Sequence, residues 1–397
     1  MNLERGSSTW IAESLLLNLS TLSTLLTESP LASSPLANPR LTGRLHINLS
    51  WPFVLVNGLA GGRGMRAVVV VGPRRVIVTE RRVPEVREGE TLVAVRACGI
   101  CGSDLLIYRG SHPFVKGERV PGHEFSGVVV EGERRGERVV AEPLIPCGSC
   151  DLCRRGEYNV CRRLAVLGVH VDGAMAEYVR VPSQRLYKLP NGVSFEEGAL
   201  VEPLAVAVHI VKRAEVGLGD SMLILGAGPI GLLTLQVAKV AGAGRIYVSD
   251  LLEYRLRIAE EMGAEHVIDA SREDVAGEVL SLTGGRGVDV VVEAAGARGT
   301  WQQAVRAARP HGRIVVAGFS GGNAEVRISD VIAKELHIIG SRVYCHDFPT
   351  ALELLARGVV NIRRLITHRF PLRDAAKAFE VADRRLEGAL KVLVIPS

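Results

Sequence analysis

A glycine-rich turn placed between an apolar strand and a helix limits the folds available to this chain more than any other feature. The segment LILGAGPIGLL carries Gly226, Gly228 and Gly231 in the pattern G-x-G-x-x-G. Around and beyond it, from residue 222 to residue 340, short apolar runs alternate with segments of helical length, which predicts six strands. Such alternation builds a parallel sheet with helices on both faces. The sequence therefore predicts the α/β class, with a doubly wound sheet over residues 206–340.

In this setting the glycine turn predicts a dinucleotide site, and hence a Rossmann domain. The first glycine permits the tight turn, the second lets a pyrophosphate approach the backbone, and the third permits close packing of helix on strand. The alternative is a plain cluster of turn glycines without a ligand. Because the turn follows an apolar strand and opens a helix, we assign four residues to cofactor binding: Gly226, Gly228, Ile230 and Gly231.

An aspartate after the next strand bears on which dinucleotide binds. Asp250 ends that strand, nineteen residues beyond Gly231. A carboxylate there accepts the ribose hydroxyls of NAD and repels the 2′-phosphate of NADP. Arg255 lies five residues further on. It would either weaken that preference or lie exposed on the helix and cover the adenine ring. We predict NAD as the cofactor, with NADP less favoured.

Four of the seven cysteines fall within fifteen residues, in the run CGSCDLCRRGEYNVC. A chain of 397 residues with 47% hydrophobic content buries a large core without disulfide staples. The C-x2-C-x2-C-x7-C spacing lets four thiolates close a tetrahedral zinc shell. An iron–sulfur cluster also takes four cysteines, but its spacing differs and a proline follows, where this chain has Arg162. The run predicts a structural zinc site on Cys147, Cys150, Cys153 and Cys161.

The flanking segments predict the domain organisation. Short β-like runs broken by glycine and proline fill residues 65–205 and predict a β-rich domain. One or two helices and a terminal strand over 341–397 are expected to return to that domain. Residues 1–64 are rich in Leu, Ser and Pro and poor in charge. We interpret them as a disordered extension or a miscalled start, because polar residues interrupt the one signal-like run.

Composition argues against two classes of partner. The net charge is +5 and no concentrated basic run occurs, which disfavours nucleic acid. No stretch reaches the roughly 18–20 uninterrupted apolar residues of a membrane span. Reduced cysteines and the lack of a sound signal predict a cytoplasmic protein.

Further candidate ligands lie in CGICGSD, PGHEFSG and VEPLAVAVH. Taken singly, Cys101 and His123 would be interpreted as packing residues. Together with the four-cysteine run and GAGPIG, however, these segments follow the order found in the zinc-dependent medium-chain dehydrogenases, which the chain resembles over essentially all of 65–397. Within that family it resembles the polyol, sugar-acid and threonine dehydrogenase branch. The resemblance implies a GroES-like β-barrel catalytic domain beside the Rossmann domain, and a homodimer or homotetramer.

The resemblance also implies a catalytic zinc on Cys101 and His123. The third ligand is a carboxylate, either Glu124 or Glu202, and both remain candidates because family members differ in which one binds directly. Zinc with three protein ligands keeps one position for water or substrate. Two zinc ions per subunit are therefore expected, one catalytic and one structural.

Two neighbours of Cys101 match supporting positions of the family. Ser103 matches the hydroxyl that relays the alcohol proton. Asp104 matches the carboxylate that holds the His123 ring in its metal-binding tautomer. Leu106 stands where many relatives have a histidine, so a proton relay through that histidine is absent.

The expected reaction is hydride transfer from a secondary alcohol to NAD, with zinc lowering the pKa of the hydroxyl. The substrate would be a polyol, a sugar acid such as galactonate or gulonate, or L-threonine. In GSRVYCHDFP, Arg342 and Tyr344 are possible substrate contacts, and an arginine would suit a carboxylate. The alternatives are a broad secondary-alcohol dehydrogenase and a non-catalytic NAD or redox sensor. A zinc-free reductase of the same superfamily is disfavoured by the cysteines.

Overall fold

The computed structural model describes residues 63–319 and 323–396. All of them belong to one compact unit, Val56–Ser397. Residues 1–62, which hold nearly all of the expected N-terminal extension, lie outside the described residues. In the described part of the chain, no helix has the length and apolar character that a membrane crossing requires.

The first part of the described chain is rich in short strands, as the broken β-like runs predict. Its elements are β1 (Gly64–Gly72), β2 (Arg75–Arg82), β3 (Glu90–Gly99), α1 (Gly102–Tyr108), β4 (Glu124–Glu131), β5 (Arg138–Ala141), β6 (Leu144–Ile145), α2 (Asp151–Arg154), β7 (Ala165–Val166), β8 (Tyr178–Pro182), β9 (Leu186–Lys188) and α3 (Phe195–Ala199). Strand β3 is the hub, because it pairs antiparallel with both β4 and β8. Val93 and Val95 of β3 pack with Phe125 and Val129 of β4 in one apolar core.

The second part alternates strands and helices. After α4 (Val201–Arg213) its elements are β10 (Ser221–Leu225), α5 (Pro229–Val240), β11 (Arg245–Asp250), α6 (Glu253–Glu261), β12 (His266–Asp269), α7 (Val275–Leu282), β13 (Val288–Glu293), α8 (Thr300–Ala307), β14 (Ala308–Val316), α9 (Ile328–Ala333) and β15 (His337–Gly340). The six strands form one parallel sheet in the order β12-β11-β10-β13-β14-β15. This is the doubly wound order, and the chain reverses its direction of growth between β10 and β13, where such sheets bind ligands.

The C-terminal segment returns to the first sheet. It contains α10 (Phe348–Ala356), β16 (Ile366–Pro371), α11 (Ala375–Arg384) and β17 (Lys391–Ile395). Strand β17 pairs antiparallel with the end of β3, through Leu393 with Gly99 and Val394 with Cys98, and β16 runs parallel beside it. The resulting sheet has seven strands. The predicted fold class, a GroES-like β domain with a doubly wound parallel sheet, is therefore confirmed.

Helix α4 joins the two halves. Its buried face packs against α5 of the parallel sheet and against α10 of the C-terminal segment. Leu204, Val208 and Ile210 are fully or almost fully buried in that contact. The N-terminal turn of α4 carries Glu202, so the packing of this helix also positions one candidate metal ligand.

Candidate metal and dinucleotide sites

The four predicted structural ligands lie close together in residues 147–161, a segment that we call the lobe. The Sγ atoms of Cys150 and Cys153 are 3.5 Å apart, and two further pairs, Cys147 with Cys153 and Cys150 with Cys161, are each 3.9 Å apart. Thiolates 2.3 Å from a common centre form a tetrahedron with edges of about 3.8 Å. A disulfide would require about 2.05 Å. The lobe therefore has the dimensions of a closed four-thiolate metal site.

The backbone of this lobe favours thiolates. Amide hydrogen bonds from Ser149 and Cys150 lower the pKa of Cys147 to about 5. Similar bonds from Cys153 and Arg162 lower the pKa of Cys150. Burial and the neighbouring sulfurs raise the pKa of Cys153 to about 12. A cluster that holds some thiols charged and others protonated is short of positive charge, which a bound metal ion would supply.

A second donor cluster forms where α1 and β4 begin. The ligand atoms of Cys101, His123 and Glu124 all lie within 4.8 Å of one another. Cys101 caps the N-terminus of α1. His123 and Glu124 are the last residue before β4 and its first residue, and they are 6% and 1% exposed. The structure thus brings the Cys101 sulfur close to the His123 imidazole and the Glu124 carboxylate, which follow it in the sequence by 22 and 23 residues.

Asp104 binds the backbone on both sides of this cluster, next to Cys101 and next to His123. Its Oδ2 accepts a hydrogen bond from the Cys101 backbone N–H at 2.9 Å, and its Oδ1 accepts one from the Gly122 N–H at 3.1 Å. Gly122 has a φ of +99°, and a Cβ there would lie 2.7 Å from the Cys98 sulfur, so only glycine fits. Asp104 is fully buried. It therefore sets the position of α1 relative to the histidine.

The His123 ring lies between Asp104 and Ser103. Its Nδ1 makes no hydrogen bond within the described residues but lies 3.6 Å from Asp104 Oδ1, and its Nε2 lies 3.5 Å from Ser103 Oγ. Burial lowers the pKa of His123, but the acidic groups of Asp104, Cys101 and Glu202 outweigh it, and the pKa lies well above its ordinary value. Because Nδ1 faces Asp104, Nε2 is the ring nitrogen left to meet a metal.

Glu202 faces this cluster from α4 but lies outside its 4.8 Å group in the described chain. Burial raises the pKa of Glu202 to about 7, Glu124 adds to the shift, and His123 and Lys391 oppose it. The Tyr344 side chain is fully buried against it. Tyr344, proposed from sequence as a substrate contact, is thus placed behind a candidate ligand.

The buried charges show that a cation fits here. The acidic groups of Cys101, Asp104, Glu124 and Glu202 surround His123, and Lys391 is the one buried lysine paired with them in the described residues. Burial raises the pKa of both Asp104 and Glu202, so the site favours a ligand that brings positive charge to these carboxyl groups. A divalent ion with sulfur, nitrogen and oxygen donors is such a ligand.

Arg342 lies in a strained turn over residues 341–347. Val343 has a φ of +44°, a conformation that β-branched residues rarely adopt. The Arg342 carbonyl accepts a hydrogen bond from Asn159 Nδ2, in the segment between the third and fourth lobe cysteines. The Arg342 side chain is exposed and its charge lowers the pKa of His170, after burial and Arg119.

The glycine turn has the geometry that the sequence predicts. Gly226 has a φ of +105°, and a Cβ on Gly231 would lie 1.9 Å from the Gly226 carbonyl oxygen. Gly228 precedes α5, and a Cβ placed there would meet, among the described residues other than its chain neighbours, only a guanidinium nitrogen of Arg255 at 3.8 Å. Ile230 lies in the first turn of α5. The turn therefore leaves a cradle beside a helix N-terminus, which fits a pyrophosphate.

Asp250 and Arg255 lie together beside this cradle. Asp250 Oδ2 accepts a hydrogen bond from the Ala227 N–H at 2.8 Å and lies 3.5 Å from Arg255 Nη1. Arg255 also donates to Tyr254 Oη and only 14% of its side chain is exposed, so the exposed position considered for it is wrong. Both residues border the place where a cofactor ribose would follow the pyrophosphate.

Comparisons with known proteins agree with this architecture. Residues 87–191 match the alcohol dehydrogenase GroES-like domain, and residues 229–357 match the zinc-binding dehydrogenase family. The starvation-sensing protein RspB of Escherichia coli is 37% identical over 337 residues, 83% of this chain and 99% of RspB. A sorbitol dehydrogenase of Bacillus subtilis is 34% identical (84% and 98% covered), and an L-idonate 5-dehydrogenase of Vitis vinifera is 36% identical (85% and 96% covered).

Solved structures show the same fold with cofactors bound. An RspB structure from E. coli in complex with NADH has a TM-score of 0.80 at 36% identity, covering 84% of this chain and all of that one. A zinc-binding dehydrogenase from Sinorhizobium meliloti bound to NADP has a TM-score of 0.79 at 36% identity, with the same coverage. Together with the fold and the sites, these define a nicotinamide-dependent dehydrogenase. The chain belongs to the zinc-dependent medium-chain alcohol dehydrogenase family.

Proposed function

We propose that this enzyme oxidises a secondary alcohol of a polyol or sugar acid with NAD, using zinc held by Cys101, His123 and a carboxylate. The single observation that carries the proposal is the set of sulfur, imidazole and carboxylate donors within 4.8 Å of one another, of which the imidazole and the carboxylate are buried, in a chain that also has a dinucleotide cradle. Relatives named sorbitol and L-idonate 5-dehydrogenases support the substrate class.

The chain's own residues divide the work. Bound zinc would polarise the substrate hydroxyl and bound NAD would accept the hydride. Cys101 and His123 Nε2 would hold the metal, with Glu124 or Glu202 as the third protein ligand. Ser103 Oγ, 3.5 Å from that ring nitrogen, accepts the hydroxyl proton. Leu106 offers no onward relay, so the proton passes from Ser103 to water.

The surroundings of Arg342 support a polar substrate. The exposed guanidinium lies near His170, whose ring stacks on Phe114 at 5.5 Å between centroids, and Phe114 also contacts His112. Burial lowers the pKa of both histidines, so they remain neutral hydrogen-bonding groups near neutral pH. A cation beside neutral imidazoles and an aromatic ring suits a polyhydroxy acid better than a simple alcohol.

We propose two zinc ions per subunit and a preference for NAD. The four-thiolate lobe closes one site and the mixed cluster forms the other. Asp250 would disfavour a 2′-phosphate, while Arg255 beside it reduces that effect. Because relatives bind either NADH or NADP, we expect a preference and not an absolute selection.

We further propose a cytoplasmic homo-oligomer. The thiols are all unpaired, as expected of a reducing compartment. Strand β15 is an edge of the parallel sheet, and exposed Ile338 lies on it, with exposed Ile328 and Ile332 on the preceding α9. An unpaired, apolar strand edge pairs readily with a second copy.

A substrate panel read by NADH absorbance tests the function. Sorbitol, other polyols, aldonates, L-threonine and simple secondary alcohols are compared with NAD and with NADP. We expect turnover of polyols or aldonates, its loss in Cys101→Ser, and a selective loss of kcat/KM for acids in Arg342→Ala. A metal-loaded protein that binds NADH but oxidises none of the panel would instead favour the NAD-sensor alternative, which the name of RspB, a starvation-sensing protein, also suggests.

A further inference from the structure

A buried lysine holds one of the candidate zinc ligands. Lys391 Nζ donates to both carboxylate oxygens of Glu124, at 2.7 and 2.6 Å, and lies 3.3 Å from the Ile100 carbonyl oxygen. The side chains of the pair are 4% and 1% exposed. A charged pair this deep is strongly coupled, because water does not screen it.

The pair is assembled by the C-terminal return of the chain. Lys391 is the first residue of β17, which pairs with the end of β3 next to Ile100 and Cys101. On the opposite side of β3, Gly99 pairs with Glu124. A Cβ on Gly99 would lie 2.3 Å from Glu124 Oε2, although its φ is not in the left-handed region. Glycine is therefore needed there for space, and the carboxylate fills that space.

The geometry of Glu124 allows two partners. Its carboxylate lies within 4.8 Å of the Cys101 and His123 donor atoms, and it is also bound by Lys391. An ammonium on both oxygens withdraws electron density and neutralises charge that the carboxylate would otherwise give to a metal. Lysine and metal ion thus compete for the same two oxygens.

Building on the proposed function, we propose that Lys391 is a positioning residue that competes with the catalytic metal for Glu124. It holds the carboxylate beside the metal and weakens its donation. A metal with weaker protein donors is a stronger Lewis acid towards the substrate hydroxyl. The competition also leaves room for ligand exchange at the metal. Lys391 thereby makes the last strand of the chain part of the metal centre.

The test measures metal release from the full-length holoenzyme to a coloured chelator, and the visible absorption of the Co²⁺-substituted protein. In Lys391→Met, Glu124 gives its charge to the metal, so the catalytic ion should leave about ten- to a hundredfold more slowly. The Co²⁺ bands should change as well. Lys391→Arg should behave like the parent. Lys188→Met is the matched control, because Lys188 is an exposed lysine on β9 of the same sheet.

Two outcomes overturn the proposal. One is a Lys391→Met protein whose release rate and Co²⁺ spectrum equal those of Lys188→Met. The other is loss of the catalytic ion in Lys391→Met, which would mean that Lys391 only maintains the fold. A Cys101→Ser protein that binds as many metal ions as the parent would refute the proposed function, because Cys101 would then not be a metal ligand. That result is distinguishable from the two outcomes for Lys391→Met.

A double variant keeps the test valid if Lys391→Met fails to fold. Lys391→Met/Glu124→Gln removes both buried charges, and such replacements are often tolerated. If Lys391 acts only through Glu124, this protein and Glu124→Gln should release metal at rates within about twofold. A tenfold difference between them would show that the lysine acts on the centre directly, and the competition would be refuted.

Discussion

Single residues in this protein do their work through contacts made across the chain. Asp104 illustrates this, because its two oxygens bind the backbones of Cys101 and Gly122 while one of them faces His123. From the sequence C-G-S-D alone, a turn or helix cap is the alternative role for Ser103 and Asp104. The structure adds that the same carboxylate binds the backbone of Gly122, the residue before His123.

Asp104→Asn is expected to weaken binding of the metal ion at Cys101 and His123, while the ion of the four-thiolate lobe stays bound. An amide keeps the shape but loses the charge that orients the histidine, and such supporting groups contribute about ten- to a hundredfold in metal affinity or activity. Metal release and kcat/KM should both change by that factor. If the variant released neither ion faster than the parent, the supporting role of Asp104 would be refuted.

Asp289 is a stability determinant with a definite pH dependence. It accepts hydrogen bonds from the Ser221 N–H and hydroxyl, from Arg286 and from Arg309, which joins the beginnings of three strands. Burial opposes its ionisation, but these bonds win, and its pKa lies well below the ordinary value of 3.8. The stabilisation is therefore complete above pH 3.8 and is lost as the pH falls towards the depressed pKa.

Asp289→Asn should accordingly lower the free energy of unfolding by about 1–3 kcal/mol near neutral pH. The difference from the parent should shrink as the pH falls below 3.8. Urea unfolding at a series of pH values measures it. A difference that stays constant down to pH 2 would show that the charge of Asp289 is not responsible.

Among the elements, the β10–α5 turn is the one whose sequence and structure agree most directly. Each glycine does what its place in the motif predicts: Gly226 adopts positive φ, and Gly231 lies against the Gly226 carbonyl. This agreement arises because a tight strand-to-helix turn is a local structure. The positive φ of Gly226 and the contact of Gly231 with its carbonyl oxygen both arise within six residues.

Gly231→Ala should damage the dinucleotide site. The added methyl would lie 1.9 Å from the Gly226 oxygen, so the turn must open and α5 must move away from β10. We expect NADH binding, followed by fluorescence titration, to weaken at least tenfold. Gly217→Ala is the control, since its Cβ would meet nothing closer than 3.7 Å. Equal NADH affinity in the two variants would contradict the packing argument.

At the level of the molecule, the four-thiolate lobe is connected, through the turn over 341–347, to Glu202 beside the mixed donor cluster. The segment between its third and fourth cysteines binds the turn over 341–347. The Cys345 thiol donates to the Gly156 carbonyl at 2.9 Å, and the His346 N–H donates to Tyr158 Oη at 2.7 Å. That turn carries Tyr344, which is buried against Glu202. The lobe therefore also holds the turn that positions Tyr344 against Glu202.

Cys153→Ser should remove one metal ion per chain and affect both stability and catalysis. The remaining thiolates would lose a closed shell, so the melting temperature should fall by several degrees. Because the lobe holds the 341–347 turn, kcat/KM should also fall, while NADH affinity stays near that of the parent. Metal analysis, thermal melting and kinetics measure these effects. Unchanged kinetics in a metal-depleted lobe would show that the lobe is independent of the catalytic cluster.

The exposed apolar edge of the parallel sheet belongs to the same level. Ile332→Glu and Ile338→Lys would place charges on α9 and β15, where an associating copy would bury them. In size-exclusion chromatography with light scattering, we expect the parent to have the mass of a dimer or tetramer. The double variant should have a smaller mass. A monomeric parent would refute the oligomer.

Much of the candidate site was predictable because its signals are short in sequence. The lobe cysteines are spaced for one metal ion, and Cys101 with His123 were joined by resemblance to a family. The Lys391–Glu124 pair had no such signal, since its members are 267 residues apart. A charged residue at the start of the apolar run KVLVIP was the one visible anomaly. No sequence signal indicated that Tyr344 would be buried, either.

Local order along the chain was sufficient to establish the alternating sheet, the glycine turn and the thiolate lobe, because each depends on periodicity or spacing within a few residues. Tertiary structure alone decided which buried charges face one another. The return of β17 to β3 brings Lys391 to Glu124, and the packing of α4 brings Glu202 towards His123. Charge balance in a buried site depends on through-space distance, which the linear order of residues does not encode.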